Sequence, residues 1–583
     1  MVSVAPSLVS SLLGNDMSFT TLPRPEHPRP DRVRNEWLNL NGPWEFAETD
    51  KDEDLSWVTA PAYPDTIIVP FCRESELSGL NRKGFVRNVW YRKTVQKPEG
   101  WTSERVLLHI GACDWKTTVY INGKAERTHC GGNTPIIVDL TDALSQGPAT
   151  VVIHAFDDVR SGKQAGGKQS NKLESYGCLY TRTTGIWQTV WLEGVGSTYI
   201  ENYDIAPQLH AGKFSIRPMI AFGGANCLVR ATVYADGKIV AQAQAKGGWR
   251  DVVLDLPLSE VRPWSIESPF LYDILLEVLE DGAVLDEVKT YCGLRAVNID
   301  GQAVLINGKP VFQRLVLDQG FYPDGIWTAP SEEALVRDIE LSKSVGFNGA
   351  RLHEKVFEPL FLYHADRLGY LVWGEFPNWG LNSKDRDIDL PMIGEWTEIV
   401  ARDRNHPAII GWCPFNETVA EMVPLQNTVI NLTRQMDPSR PVIDTSGYVH
   451  HESVCEILDD HDYEQDPAKF GEKWASHRAE VPFFVSEYGG IAWSLKEGGW
   501  GYGNAPTTIE EFYDRLKGLT DVLLDNRYHF GFCYTQLADV EQEQNGMFTC
   551  HREPKFEDGR IRSVFARPAA YELNPPTRSR QES

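Results

Sequence analysis

Ile410-Gly411-Trp412-Cys413-Pro414-Phe415-Asn416-Glu417 and Pro482-Phe483-Phe484-Val485-Ser486-Glu487-Tyr488-Gly489 share one design: a short apolar run ending on a glutamate with no compensating charge beside it. Such a run reads as a strand covered on both faces, as in parallel sheets packed between helices. Working outward, similar runs recur across residues 299–573: residues 311–317, a run ending in Ala350-Arg351-Leu352-His353, Tyr370-Leu371-Val372-Trp373, Ile409-Ile410-Gly411-Trp412, Pro441-Val442-Ile443, Glu456-Ile457-Leu458, Phe483-Phe484-Val485 and Gly531-Phe532-Cys533-Tyr534. Helical patterns fill most of the intervals. Ser331 is placed to cap one helix, with Glu332 and Glu333 at the positive end of its dipole and Gly346 closing it. Pro359 opens another, and Gly369 ends it. Eight strands alternating with helices over about 275 residues are the pattern of a (β/α)8 TIM barrel.

Upstream the pattern is β only. Residues 106–110 and 117–121 read as strands, the second entering Asn122-Gly123, a dipeptide suited to the positive φ angles of a two-residue hairpin. A second β-rich unit carries Asp236-Gly237 and Asp281-Gly282 after its strand runs, and Asn307-Gly308 marks one more hairpin ahead of the barrel. The expected layout is a tail over 1–20, a β-sandwich over 21–197, a second sandwich over 198–298, the barrel over 299–573 and a polar tail over 574–583.

The chain has 583 residues, too many for one core, with 42% hydrophobic and 24% charged residues, as in ordinary globular proteins. A net charge of −24 repels phosphate backbones and anionic membranes, which argues against nucleic acid and membrane partners. No run approaches the length of a transmembrane helix. The ten cysteines show no CxxC pair and read as small buried hydrophobes, and the first thirteen residues lack the basic start and apolar run of a signal peptide. A cytoplasmic location is expected.

In such a barrel the carboxyl ends of the strands build the active site. Nearly every strand run here ends in polar groups: Asp318-Gln319, Arg351 with His353-Glu354, Glu375, Asn416-Glu417, Asp444 with Ser446, Asp459 with His461 and Tyr463, Glu487 with Tyr488, and Gln536 with Asp539. Strands four and seven lie across the mouth from each other, so Glu417 and Glu487 can face one another over a bound sugar. Retaining hydrolysis uses two carboxyls about 5–5.5 Å apart, one attacking the anomeric carbon and one protonating the leaving oxygen. Glu417, beside Trp412 and Phe415, suits the general acid/base; Glu487, with Arg351 as a stabilising charge, suits the nucleophile. Asn416, Arg351, His353, Asp318, Glu375, His461, Tyr463, Tyr488, Trp493, Gln536 and Asn545 are the expected sugar-binding residues, and Trp327, Trp373 and Trp379 offer further faces for a sugar ring. The His450-His451 and His461 region completes no metal-ligand spacing, so neither metal nor cofactor is expected, and the sequon match Asn416-Glu417-Thr418 reads as accidental.

These features resemble glycoside hydrolase family 2, which includes β-galactosidases, β-glucuronidases and β-mannosidases. The resemblance is carried by Asn416-Glu417, Phe484-Val485-Ser486-Glu487-Tyr488-Gly489, Thr184-Gly185-Ile186-Trp187, Glu267-Ser268-Pro269-Phe270-Leu271-Tyr272, Gly346-Phe347-Asn348 and the stretch from Asp539 to Gly546. It implies a sugar-binding-like jelly-roll β-sandwich, an immunoglobulin-like β-sandwich and a catalytic barrel. It also implies Glu417 as general acid/base, Glu487 as nucleophile and Asn416 as partner of the sugar 2-hydroxyl.

Two departures bear on the substrate. The first strand ends in Leu315-Val316-Leu317-Asp318-Gln319-Gly320 where many family members have an Arg-His-Glu-like segment, which puts the usual metal site of large β-galactosidases in doubt. Glucuronidase-like members carry an Asn-Lys pair that holds the uronate, and Gln544-Asn545-Gly546-Met547 has no lysine. The expectation is therefore a neutral glycone: a β-galactoside first, then a furanoside (β-galactofuranoside or α-L-arabinofuranoside), then a β-glucuronide or β-mannoside. A non-catalytic carbohydrate-binding protein and a structural scaffold are the readings from other classes. The sandwiches leave room for a homo-oligomer.

Overall fold

The computed structural model describes residues 22–52, 54–224, 226–450, 455–495 and 498–578. The expected tail over 1–20, residues 579–583 and His451 lie outside them.

All four dipeptide turns form hairpins, because each places two residues in the left-handed region that matches the twist of the flanking strands. Asn122 and Gly123 take φ 49° and 85°, Asp236 and Gly237 47° and 75°, Asp281 and Gly282 50° and 86°, and Asn307 and Gly308 52° and 75°.

The first hairpin, Lys116–Ile121 with Lys124–Cys130, is one edge of a six-stranded antiparallel sheet whose central strands are Asn88–Val95 and Ala149–Phe156. A four-stranded sheet centred on Val190–Val195 and Arg105–Ile110 faces it, and Trp44, Phe46, Tyr91, Leu108, Ile153 and Leu192 fill the space between. The second sandwich pairs a three-stranded sheet, Tyr199–Gln208, Lys213–Ala221 and Leu254–Pro257, with a four-stranded one, Lys238–Lys246, Leu228–Ala235, Tyr272–Glu280 and Ala283–Cys292. Its core is Val229, Ala231, Val233, Ile274, Leu276 and Val278 against Phe214 and Ile216, the alternate positions of each strand.

The third unit is a curled parallel sheet wrapped by helices. Its ladder runs Ile409–Cys413, Leu371–Glu375, Gly349–Leu352, Gln313–Asp318, His529–Thr535, Phe483–Gly489 and Leu458–Asp462, that is, strands four, three, two, one, eight, seven and six. The fifth position is held by residues 441–446, which bridge the fourth strand at Trp412/Val442 and Asn416/Ser446. They reach the sixth strand through side chains: the Ser446 hydroxyl and the Gly447 N–H donate to the Asp459 carboxylate at 2.9 and 3.1 Å. The sixth strand departs from expectation, beginning at Leu458, where the apolar reading over 456–458 ends. Leu458-Asp459-Asp460-His461-Asp462 buries Asp459 and His461 on alternate positions, so its inner face is polar and hydrophobicity cannot mark it. The capped helices form as Glu332–Ser344, with the Ser331 side chain accepting from the Ala334 N–H, and Pro359–Leu368, with Gly369 left-handed at φ 64°.

Residues 157–184 of the first sandwich contain no helix or strand, and they form a strap over the carboxyl face of the barrel. One end is pinned to the loop after the third strand, where the Gly166 N–H donates to the Trp379 carbonyl (2.8 Å) and the Gly167 N–H to those of Pro377 (3.2 Å) and Trp379 (3.1 Å). The other end meets the loops after the seventh and eighth strands: the Tyr180 hydroxyl donates to Glu543 (2.5 Å), and Trp500 of the seventh-strand loop and Gln542 of the eighth donate to the Gly177 carbonyl. Cys72, Ala112, Tyr180 and Trp187 of the sandwich share an apolar cluster with Phe321, Ile326, Trp327 and Val540 of the barrel loops.

Candidate active site

Arg351, at the carboxyl end of the second strand, is the hub of the barrel mouth. Its guanidinium donates to Glu375 (2.6 Å), to the Ser486 carbonyl (2.9 Å), to Asn416 Oδ1 (2.8 Å) and to Glu487 (2.7 Å), joining the ends of strands two, three, four and seven. A planar fork with five donors on a rigid strand end suits that task. His353 Nδ1 lies 3.0 Å from Glu375 and 2.8 Å from Arg351.

Glu487 is almost fully buried, and burial alone would push its carboxyl up. The charges of His461 and Arg351, with His353 and Lys168 behind them, overcome that and hold it down at about 2. The Tyr463 hydroxyl donates to its other oxygen at 2.5 Å. Glu417 is more open, with 23% of its side chain exposed, and its backbone takes φ 46°, turning the side chain into the mouth after the strand has ended. His461 Nδ1 sits between the two glutamates, 2.8 Å from Glu417 and 3.4 Å from Glu487, while Nε2 faces the Ser446 hydroxyl at 2.9 Å. Burial works against a charged imidazole here, but Glu487 and the hydrogen bond to Glu417 raise its pKa. One oxygen of each glutamate and the imidazole nitrogen all lie within 4.8 Å of one another.

Asn416 is held by a reciprocal pair with Asn378: its N–H donates to Asn378 Oδ1 (2.6 Å) and its carbonyl accepts from Nδ2 (3.0 Å). Its own Nδ2 is buried and has no partner among the described residues. At 1% exposure Asn416 is closed off from the solvent that a glycosylation acceptor must face.

Of the remaining expected sugar-binding residues, Gln536 and Asn545 form a chain with Glu543 (Gln536 Nε2 to Asn545 Oδ1 2.8 Å, Asn545 Nδ2 to Glu543 3.1 Å) that ends on Tyr180 of the strap. Three are not brought to the mouth. Tyr488 points outward, its hydroxyl 2.9 Å from Thr520 on the helix Ile509–Asp525, because strand residues alternate faces and Glu487 takes the inner one. Trp493 packs on Phe512 and Phe556. Asp318 accepts from the Gly320 N–H of its own loop (2.9 Å), and burial together with Asp338 pushes it up to about 6. Among the other tryptophans, Trp373 is fully buried against Phe484 and Trp327 packs edge-on to Trp187, which leaves Trp379 at the rim.

Reading the barrel alone missed the strap. Lys168 lies over the Trp379 ring, 3.6 Å from its centroid, and its charge acts on Glu487 and His353. The signal was present: a stretch of this length without regular structure inside a compact sandwich is usually functional. Among the described residues a second group, Asp444, His450 and Cys455, also sets potential metal ligands within 4.8 Å of one another. His450 there is hydrogen-bonded to Asp444 (2.8 Å) and to the Asp459 carbonyl (2.9 Å), which makes it a clamp between the fifth and sixth strand positions. No helix of the described residues is long and apolar enough to cross a membrane.

Comparison with known proteins agrees with this arrangement. Residues 297–566 match the family description "Glycosyl hydrolases family 2, TIM barrel domain" and residues 198–295 match "Glycosyl hydrolases family 2". The chain is similar to a β-glucuronidase of Paenibacillus borealis, 23% identical over 93% of this chain and 98% of the relative. It is also similar to a β-galactosidase of Thermoanaerobacter pseudethanolicus, 23% identical over 73% of this chain and 57% of the relative. The crystal structure of Ruminococcus gnavus β-glucuronidase superposes with a TM-score of 0.78 at 20% identity, covering 93% of this chain and all of that one.

Proposed function

The chain belongs to glycosyl hydrolase family 2 and is a glycosidase, and from that premise we propose a retaining, exo-acting mechanism with Glu487 as nucleophile and Glu417 as general acid/base. The observation that carries it is the pair of carboxylates brought within 4.8 Å in opposed settings. One is buried and held ionised by Arg351 and His461; the other is half-open beside an imidazole that can exchange its proton. In the first step Glu487 attacks the anomeric carbon while Glu417 protonates the departing oxygen. In the second, water deprotonated by Glu417 hydrolyses the glycosyl ester. The free Nδ2 of Asn416 is placed to donate to the sugar 2-hydroxyl, a contact that tightens in the transition state. The division into units at 197/198, 298/299 and 573/574 belongs to the same proposal.

For the glycone we propose a neutral terminal sugar, a β-galactoside foremost, with a furanoside and a β-mannoside behind it. A β-glucuronide is the second reading, supported by the names of the relatives above. A panel of nitrophenyl glycosides decides among them, and a pure carbohydrate-binding protein would show affinity without turnover.

The division of labour has its own test. Glu487→Ala should abolish turnover of every glycoside, and azide should rescue it to a glycosyl azide of inverted configuration. Glu417→Ala should spare activated aryl leaving groups in the first step, and azide should then give the retained anomer. Product anomers read by NMR that are alike for both variants, or inversion by the unaltered enzyme, would overturn the assignment.

A further inference from the structure

The strap brings into the barrel mouth a cation that the two-glutamate mechanism does not use. Lys168 is nine-tenths buried, its ammonium rests on the Trp379 ring, and no described carboxylate lies within ion-pair distance of it. Its position is over-determined. Gly166 and Gly167 are bonded to the Pro377–Trp379 backbone, and the Lys168 carbonyl accepts from the Tyr180 N–H at 2.7 Å. Trp379 donates its N–H to Glu354 at 3.0 Å, and Asn378 beside it holds Asn416. Lys168 is therefore fastened to the same loop that orients the expected 2-hydroxyl partner.

On the same face of the barrel, buried polar atoms at the strand ends lack partners on both sides of the hydrogen-bond ledger. Asn416 Nδ2 is an unfilled donor, while Glu354 Oε1 and Gln536 Oε1 are unfilled oxygens. A buried polar group left unpaired costs about 1–3 kcal/mol, so such a set inside a cleft marks where a ligand binds. Sugar hydroxyls both donate and accept, so a glycone can fill both kinds of atom. Burial works against the charge of Lys168, and Cys178, Glu487, Glu354 and Glu543, all beyond ion-pair distance, offset it.

We infer that Lys168, supplied by the first sandwich, is a glycone-binding residue for a neutral terminal sugar, its ammonium donating to hydroxyls that in turn bond to Glu354 and Gln536. This rests on the retaining-glycosidase reading and on the neutral glycone proposed above, and it names the residue that would hold that glycone. It also assigns specificity to a residue outside the barrel.

The test uses the full chain, with nitrophenyl β-D-galactopyranoside, the matching β-glucuronide and galactosides deoxygenated singly at positions 2, 3, 4 and 6. Lys168→Met should lower kcat/KM on the galactoside about ten- to a hundredfold, the worth of a hydrogen bond from a charged donor. Lys168→Arg should recover part of that loss. The deoxy sugar lacking the contacted hydroxyl should be penalised in the native enzyme and indifferent to Lys168→Met, a coupling that a merely structural lysine cannot produce. Equal losses on every deoxy sugar, unchanged kinetics in Lys168→Met, or a native preference for the glucuronide that Lys168→Met removes would each overturn the inference. Failure of the reading beneath it would appear separately, as turnover surviving Glu487→Ala.

Discussion

His461 is the residue through which the two glutamates sense each other. Its charge is the largest influence lowering Glu487 against the upward push of burial. The sign follows directly: a carboxyl held at about 2 when folded and near 4.3 when unfolded stays ionised over the working range, and its stabilising contribution is lost only as pH falls from about 4 towards 2. In His461→Gln that protection weakens, and the acid limb of kcat/KM should move up by about one to three pH units while the alkaline limb loses its imidazole contribution. A pH–rate profile with an activated aryl glycoside measures this, and an unmoved acid limb would show that the imidazole does not set the charge state of Glu487. At this scale the sequence was informative where function sits at a strand end: Glu417, Glu487, Arg351, Asn416, His353, Glu375, His461 and Tyr463 converge in space. Tyr488 and Trp493 were misplaced because following a strand-end glutamate does not specify which face of the strand or loop a side chain takes.

The strap is the element beside the site that the barrel pattern reveals least. Gly167 takes φ 54°, and a Cβ there would stand 2.3 Å from the Glu354 carbonyl oxygen and 3.0 Å from Pro377 Cβ. Gly177, in the same strap, takes φ 53° with no atom within 4 Å of such a Cβ. Both alanine variants bear the left-handed backbone cost of about 1–2 kcal/mol, but Gly167→Ala alone must also lift the strap from the barrel. It should lose more than tenfold in kcat/KM, by analogy with misplaced positioning groups, while Gly177→Ala keeps near-native kinetics; equal kinetics in the two would separate the strap from catalysis. The sixth strand shows the complementary limit of reading elements from hydropathy. Its inner face carries Asp459 and His461, so period-two burial is present but apolar periodicity is not.

Across the whole molecule, the active site is completed by a surface that two units share. Trp187, 1% exposed, lies edge-on to Trp327 of the barrel and donates its Nε1–H to the Gly132 carbonyl at 2.7 Å. Trp187→Ala should cost about 3–5 kcal/mol and lower activity together with thermal stability, since Trp187 and Tyr180 of the strap share the apolar cluster with the barrel loops; calorimetry alongside a turnover assay would read both, and full activity after a large fall in Tm would contradict this coupling. Local pattern by itself determined much of the molecule. Turn dipeptides with two left-handed residues specify hairpins, covered apolar runs specify parallel strands, and capping residues bound the helices, because each depends on interactions within a few residues along the chain. The two strand-end glutamates proposed as catalytic were legible for the same reason, since the end of a barrel strand is a local address for a site. Only the tertiary structure decided that Lys168 and Tyr180 of the first sandwich reach the barrel mouth, that Asp318 turns into its own loop, and that residues 441–446 close the barrel through Asp459. Those outcomes depend on contacts between segments distant in sequence, whose geometry is set by how whole cores pack and not by the periodicity of any one stretch.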